Sequence, residues 1–290
     1  MALVETIAVI GAGIMGRGIA QVAALGGYRT ILEDILPDSL QKAESEIGIQ
    51  LDKAVELGKV SSEGANAALT RLEFVGSVKD AAREADLVIE AVPEQIESKI
   101  EIFSLLDKVC PPDTILASNT SSLSITEIAS VTHRAKKCIG MHFFNPVPKM
   151  KLLEIVRALE TDQDTVAAAA EVGRRMGKEV VVIREAPGFI TTRINAMIGN
   201  EAFYMLEEGI ASAADIDKAI KLGLNHPMGP FEMVDLVGLD TRLHILEYLH
   251  RALGDKYRPA PLLVQYVKEG RLGRKSGRGV YEYPQASSTA

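Results

Sequence analysis

The sequence predicts an α/β protein: a doubly wound, mostly parallel Rossmann-type sheet followed by an all-helical C-terminal domain. Three observations predict this fold class. An apolar run ends in a G-x-G-x-x-G glycine turn, strand-like and helix-like segments then alternate as far as about residue 184, and the pattern is helical afterwards. We place the domain boundary near residue 185, which gives domains of residues 1–185 and 186–290.

The glycine turn is the most informative local feature. A strand at residues 7–10 ends at Gly11, Gly13 and Gly16, and an Ala-rich helix follows as far as Leu25. In this context the first glycine makes the turn, the second lets a pyrophosphate approach the backbone, and the third lets helix and strand pack closely. The helix N-terminus adds unpaired N–H groups and a partial positive charge. These features predict a dinucleotide site.

Asp34 follows the second predicted strand, at residues 30–32, and lies 18 residues beyond Gly16. A carboxylate at this distance accepts the hydroxyl groups of an adenosine ribose and repels a 2′-phosphate, which favours NAD over NADP. An ordinary glycine-rich βα turn and a nucleotide methyltransferase are the alternatives.

Composition and charge limit the classes of protein to which this chain can belong. The chain has 290 residues, 47% of them hydrophobic, and a net charge of −7, which gives no general electrostatic footprint for nucleic acid. We interpret a local basic run at residues 268–278 as a solvated loop. No segment approaches the roughly 20 apolar residues that span a membrane, and no signal peptide is recognisable. Cys110 and Cys138 are too few for a metal site or a disulfide framework, so we expect no metal and a cytoplasmic location.

The alternation after Asp34 defines the remaining elements. A charged insertion of two helices, at residues 37–57 and 62–71, is expected to project from the sheet. Further strands are predicted at 73–75, 86–91, 114–117, 138–143, 152–156 and 179–183, and further helices at 80–84, 97–109, 124–130 and 165–176. The second domain is predicted to contain helices at 193–208, 212–222, 230–237 and 239–253, and a glycine-rich tail with aromatic anchors at 270–283.

Polar residues follow the predicted strands at the sheet edge where ligands bind in such folds. They are Glu94, Asn119, Ser121, His142 and Asn145. If the strands on either side of residues 145–149 pair about Pro148, His142 lies opposite Glu154, which then orients the imidazole as general acid–base catalysis requires. A packed core histidine and a helix N-cap role for Ser121 are the alternatives that the residues leave open.

Six segments in order along nearly the whole chain resemble the L-3-hydroxyacyl-CoA dehydrogenase family, and within it the bacterial 3-hydroxybutyryl-CoA dehydrogenases. The segments read GAGIMG, SNTSSL, MHFFNPVPKMKLLEIV, PGFI, HPMGPFEMVDLVGLD and LGRKSGRGVYEY. The resemblance implies NAD as cofactor, a helical C-terminal domain that forms a homodimer, and a role in fatty acid metabolism. The implied reaction is the reversible oxidation of an L-3-hydroxyacyl-CoA to the 3-ketoacyl-CoA, and the implied substrate is of short chain.

The same resemblance implies a role for each residue of the site. His142 transfers the proton, Glu154 orients and supports it, and Ser121 hydrogen-bonds the substrate oxygen. The residues implied to lie along the nicotinamide half of NAD are Glu94, Lys99 and Asn119, with Asn145 near the reacting centre. On the charged insertion, Lys53 and Lys59 are candidate partners for the coenzyme A phosphates, although a solvated helix face explains lysines equally well.

One position departs from the family pattern. The family reads PGF-x-x-N-R, with the Asn in the substrate site, whereas this chain has Thr192 there and Asn195 one helical turn later. A Thr hydroxyl lacks the paired donor and acceptor of an amide, so we expect an altered rate or acyl preference. Two other functions remain open from the sequence: a dehydrogenase of a free hydroxy or sugar acid, and a non-catalytic NADH-binding protein.

Overall fold

In the computed structural model, the described residues are 4–284, and the chain divides between Ala186 and Pro187 into two compact units. The first unit is built on a sheet whose strands are β1 (Thr6–Ile10), β2 (Arg29–Glu33), β3 (Leu72–Val75), β4 (Leu87–Glu90), β5 (Ile115–Ser118), β6 (Cys138–Phe143), β7 (Leu152–Arg157) and β8 (Glu179–Arg184). Its helices are α1 (Ile14–Leu25), α2 (Pro37–Glu56), α3 (Ser62–Leu69), α4 (Val78–Ala82), α5 (Ile96–Val109), α6 (Ile125–Ala129) and α7 (Gln163–Arg175).

The strand order is β3-β2-β1-β4-β5-β6-β7-β8, and every neighbouring pair is parallel except β6 and β7. The chain runs outward from β1 to β3 and then returns to β4 on the other side of β1. The gap between β1 and β4 is therefore the topological switch point, where ligands bind outside the carboxyl ends of the strands. The predicted doubly wound, mostly parallel sheet is confirmed.

Both faces of the central strands β1, β4, β5 and β6 are buried, as in a parallel sheet covered by helices. Strand alternation sends Ile7 and Val9 into the core on one face, with α1, and Ala8 and Ile10 into the core on the other face. This double burial is the reason that the strands appear in the sequence as short continuous apolar runs.

The charged insertion corresponds to α2 and α3. Ala43, Ile47 and Leu51 are buried on one side of α2 and belong to the same core cluster as α1. The regularly spaced apolar residues therefore anchor one side of the insertion, while its lysines and glutamates face solvent.

The second unit is helical: α8 (Thr191–Glu207), α9 (Ala213–Gly223), α10 (Pro230–Val237), α11 (Leu239–Leu253) and α12 (Pro261–Lys268). Its core contains Phe203 and Phe231, whose rings pack edge to face at 5.2 Å. The sequence reasoning missed α12, since Gly254, Pro259 and Pro261 around its start resemble a loop. Pro261 is the first residue of this helix, a position that proline favours.

The glycine-rich tail is anchored by aromatic residues as predicted. The hydroxyl group of Tyr281 donates to Asp217 at 2.8 Å, and that of Tyr283 donates to Asp235 at 2.9 Å. The interpretation of residues 268–278 as a solvated loop is wrong in part. Arg271 lies over the Tyr266 ring at 3.4 Å, and Lys275 pairs with Asp240.

Candidate active site

The glycine turn joins β1 to α1 with the geometry that a pyrophosphate site requires. Gly11 has φ +100°, and a Cβ atom at Gly16 would lie 1.7 Å from the Gly11 carbonyl oxygen, so neither position accepts a side chain. A Cβ at Gly13, by contrast, would meet no atom within 4 Å, which leaves the backbone open. No described side chain caps α1, and its first turn carries no acidic residue. The N–H groups there suit an anion, and the turn fits a dinucleotide.

Asp34 is held beside this turn. Its Oδ2 accepts from the Ala12 N–H at 2.9 Å, and its Oδ1 accepts from the Leu36 N–H at 3.0 Å. The carboxylate is thus fixed between the glycine turn and the segment after β2, the position from which it can bind a ribose.

A buried ion pair lies at the end of β4. Lys99, from α5, donates to Glu90 Oε1 at 2.7 Å, and both side chains are at most 1% exposed. The remaining acceptor positions of Glu90 are also used, since Oε1 accepts from the Val92 N–H and Oε2 from the Ser118 hydroxyl at 2.6 Å. The pair ties the ends of β4, α5 and β5 together.

Glu94 connects this ion pair to Ser121. Its Oε1 accepts from the Thr120 hydroxyl at 2.6 Å, the Ser121 N–H at 2.8 Å and the Ser121 hydroxyl at 3.0 Å, while its Oε2 lies 3.4 Å from Lys99 Nζ. Desolvation by itself would raise the pKa of Glu94, but Lys99 and the three donors outweigh it and the pKa is lowered. The helix N-cap is Ser124, not Ser121, so the capping alternative for Ser121 is excluded.

His142 and Glu154 face each other on β6 and β7. The antiparallel register places them opposite one another, and the distance from His142 Nδ1 to Glu154 Oε2 is 2.7 Å. Both side chains are buried, with 7% and 1% of their surfaces exposed. The predicted pairing of the two strands about Pro148 is confirmed, and it makes the imidazole a partner of the carboxylate rather than an apolar core residue.

The two asparagines lie at the same edge. The side-chain oxygen of Asn119 accepts from the Phe143 N–H at 2.9 Å, which links the segment after β5 to β6. Asn145 is exposed and follows β6 directly. The structure therefore gathers Glu94, Asn119, Ser121, His142 and Asn145 at the carboxyl ends of β4, β5 and β6.

Family models match both units. The NAD-binding domain of 3-hydroxyacyl-CoA dehydrogenase matches residues 6–186, and the C-terminal domain of the same enzyme matches residues 188–283.

The chain belongs to the 3-hydroxyacyl-CoA dehydrogenase family. It is therefore an NAD-dependent oxidoreductase. It is 46% identical over 286 residues to a probable 3-hydroxybutyryl-CoA dehydrogenase of Bacillus subtilis, covering 98% of this chain and 99% of the relative. It is 40% identical over 288 residues to the human mitochondrial hydroxyacyl-coenzyme A dehydrogenase, covering 97% and 92%. The crystal structure of (S)-3-hydroxybutyryl-CoA dehydrogenase from Ralstonia eutropha matches with a TM-score of 0.94 and 42% identity, covering 97% of this chain and 100% of that one.

The other predicted site residues of this 3-hydroxyacyl-CoA dehydrogenase do not lie at the carboxyl ends of β4, β5 and β6. Lys53 is exposed on α2, and Lys59 is exposed in the turn that follows. Thr192 and Asn195 are half-buried on α8 in the second unit. Asn195 also lines an apolar cavity of that unit, together with Ile194, Ile198, Met228 and Met233.

Sequence reasoning missed Glu90, which accepts from Lys99, and Ser118, which donates to Glu90. The available signal was a Glu that ends an otherwise apolar strand, since a carboxylate in such a strand requires partners. The two cysteines are buried, and burial raises the pKa of each thiol to about 11. Within residues 4–284 no cluster of three or more His, Cys, Asp or Glu side chains is suited to a metal ion. Over the same residues no helix combines the length and apolar character that crossing a membrane requires.

Proposed function

We propose that this dehydrogenase oxidises short-chain L-3-hydroxyacyl-CoA thioesters, 3-hydroxybutyryl-CoA among them, to the 3-ketoacyl-CoA, and also catalyses the reverse reaction. The observation that carries the proposal is the 2.7 Å pair of His142 and Glu154 at the edge of the sheet that bears the dinucleotide turn. The names of the relatives support the choice of substrate.

The His142–Glu154 pair is suited to move the proton. Bound NAD⁺ supplies a nicotinamide ring that accepts the hydride from C3 of the substrate. When Nδ1–H of His142 donates to Glu154, Nε2 keeps its lone pair and accepts the proton of the C3 hydroxyl group. The Glu154 carboxylate then stabilises the resulting imidazolium, and the pair works in reverse when a ketone is reduced.

The surrounding residues position the reactants. Ser121, whose hydroxyl donates to Glu94, is placed to hydrogen-bond the substrate oxygen as the family resemblance implies. We assign Glu94 and Lys99, which are ion-paired, and Asn119, which accepts from the Phe143 N–H, to the nicotinamide half of the cofactor. We assign Asn145 to the reacting centre.

The exposed lysines on α2 and after it are the proposed coenzyme A contacts. Replacing Lys53 or Lys59 by Glu should raise the KM for acetoacetyl-CoA about threefold or more through lost phosphate attraction, and leave the KM for free acetoacetate unchanged. An equal effect on both substrates would instead favour a dehydrogenase of free acids.

We assign NAD binding to the first unit, and substrate contacts and homodimer formation to the second, with the boundary near residue 185. The second unit exposes large apolar side chains, which support an interface between two copies: Ile190, Ile194, Ile210, Leu222, Leu224 and Leu236. Sedimentation equilibrium should give twice the mass of the chain. A cytoplasmic location, with no nucleic acid or membrane partner, agrees with the net charge of −7 and two unpaired cysteines.

The central experiment follows NADH consumption with acetoacetyl-CoA and then with longer 3-ketoacyl-CoA substrates. We expect turnover that is fastest with the short chain. His142→Gln should lower kcat by about 10³-fold while NADH still binds, because the amide cannot take up the proton. Full activity in this variant would remove His142 from its role.

A further inference from the structure

Glu33 is a buried acid at the cofactor end of β2 that the mechanism does not use. It is the last residue of the strand and is 2% exposed. Strand alternation places its side chain on the same face as Ile31, which packs in the core cluster with Ile10 and Val78. Its Oε1 is buried and accepts no hydrogen bond from any residue between 4 and 284.

The next residue in the chain is Asp34, the carboxylate fixed beside the glycine turn. Two consecutive acidic residues therefore end β2 at the position where a dinucleotide places its adenosine ribose. Asp34 accepts two backbone N–H groups that compensate its charge, whereas Oε1 of Glu33 has no such compensation.

The other charged groups around Glu33 are committed to partners or exposed to solvent. On β3, Glu73 is paired with Arg29, which also pairs with Glu84. Two strands away from β2, Glu90 is paired with Lys99. Lys79 and Asp80, on α4, are both exposed. Burial, and secondly the charge of Asp34, raise the pKa of Glu33 to about 7.

We propose that Glu33 is a second cofactor-selecting residue, whose buried carboxyl group acts with Asp34 to set how strongly the site rejects a dinucleotide that carries a 2′-phosphate. The proposal rests on NAD binding at the glycine turn and not on the acyl substrate. A neutral Glu33 leaves Asp34 as the one negative charge of this acidic pair, and an ionised Glu33 adds a second charge beside it. Only the second state adds repulsion against the 2′-phosphate of NADPH, while the 2′-hydroxyl group of NADH is uncharged.

The sign of the effect follows from these charges. As the pH rises through about 7, Glu33 loses its proton, so the Kd for NADPH should increase relative to the Kd for NADH. One added negative charge near the 2′-phosphate, in a partly solvated site, corresponds to about a tenfold change in the ratio of the two Kd values. A Gln at position 33 keeps the shape and removes the titration.

The test measures the Kd values of NADH and NADPH by nicotinamide fluorescence in the absence of acyl-CoA, at about one pH unit below and above 7. The proteins are wild type, Glu33→Gln and the control Glu73→Gln, which removes an exposed acid from the neighbouring strand. In wild type and in the control, the NADPH-to-NADH ratio of Kd values should rise across this range about tenfold more than it does in Glu33→Gln. In Glu33→Gln the ratio should change only through the titration of the 2′-phosphate itself.

Comparison with Glu33→Gln cancels the titration of the 2′-phosphate itself, which is common to every protein tested. If Glu33→Gln does not fold, Glu33→Met serves as the second variant, because an apolar side chain suits a buried site without a hydrogen-bond donor. A ratio that changes with pH equally in wild type and in the variant would overturn the proposal. Because no acyl substrate is present, a failure of the proposed reaction would leave this result unaffected.

Discussion

Glu33 and Glu90 lie on the same face of the sheet, on the two strands that flank β1. The two carboxyl groups differ in the hydrogen-bond donors around them. The register pairs Ile10 with Glu33 on one side and with Glu90 on the other. Both oxygens of Glu90 accept hydrogen bonds, one of them from Lys99, whereas Oε1 of Glu33 accepts none from residues 4–284. Two equally buried acids therefore differ in the cations and hydrogen-bond donors that surround them.

This difference divides the carboxyl edge of the sheet into two regions. On the β4–β7 side, carboxylates hold other groups in place: Glu90 holds Lys99, and Glu154 holds His142. On the β2 side, Glu33 holds no group that the structure describes around its Oε1. The first region is suited to rigid positioning and the second to a change of charge.

The largest expected effect comes from removing the charge of Glu90. Glu90→Gln removes the nearer of the two carboxylates beside the buried Lys99 ammonium and leaves only Glu94, at 3.4 Å. The free energy of unfolding should therefore fall by about 3 kcal/mol. Urea denaturation at neutral pH measures it. Glu33→Gln is the matched control, on the strand at the other side of Ile10. At neutral pH this variant should lose far less of the free energy of unfolding. Equal losses in the two variants would erase the distinction between the two regions.

The next effect concerns the other paired acid. Glu154→Gln still fills the space but no longer stabilises an imidazolium, so kcat should fall by about 10²-fold with little change in the KM for NADH. Steady-state kinetics with acetoacetyl-CoA measures both constants. A variant with unchanged kcat would show that the buried carboxylate has no part in proton transfer.

The unpaired acid should instead make the stability depend on pH. Its pKa is raised from 4.5 to about 7 in the folded protein, so the folded chain binds the proton more tightly than the unfolded chain. The protonated Glu33 therefore stabilises the folded protein. This contribution is fully present below about pH 4.5 and is lost as the pH rises to about 7. Relative to Glu33→Gln, the wild type should lose about 3 kcal/mol of unfolding free energy over this window. Urea denaturation of both proteins across this pH range measures the difference in their free energies of unfolding. A difference that does not change with pH would show that Glu33 does not ionise in this range.

The smallest effect is expected outside the sheet. Thr192→Asn restores the amide of the family pattern on α8 and should raise kcat/KM for a short-chain acyl-CoA about threefold, through one better hydrogen bond. Ser124→Ala, a helix cap in the first unit, is the control for a general change in stability. An unchanged or reduced kcat/KM in Thr192→Asn would show that Thr192 does not limit the reaction.

Much of the first unit could be predicted from the sequence because its signals are local. The glycine turn, Asp34 and the apolar strands each depend on neighbours within a few residues. The pairing of His142 with Glu154 was also predictable, because residues 144–151 reverse the chain about Pro148 and the register then follows from residue counting.

The surroundings of the acids could not be predicted in the same way. Lys99 reaches Glu90 from a helix, and Ser118 reaches it from the adjacent strand, so the pair depends on how separate elements pack. Glu33 and Asp34 are consecutive acids in the sequence, yet one is buried and the other is half-exposed. Only the three-dimensional arrangement distinguishes them. Helix α12 was missed for a local reason, since the prolines near its start resemble a loop.

The hairpin formed by β6 and β7 depends on register. Side chains alternate between the two faces of a strand, so a slip of one residue between the two strands would send the imidazole and the carboxylate to opposite faces. Pairing with β8 holds β7 on its other edge, and residues 144–151 connect β6 to β7. Natural variation and protein engineering should therefore tolerate an inserted residue in this connection more readily than a change that moves β7 against β8.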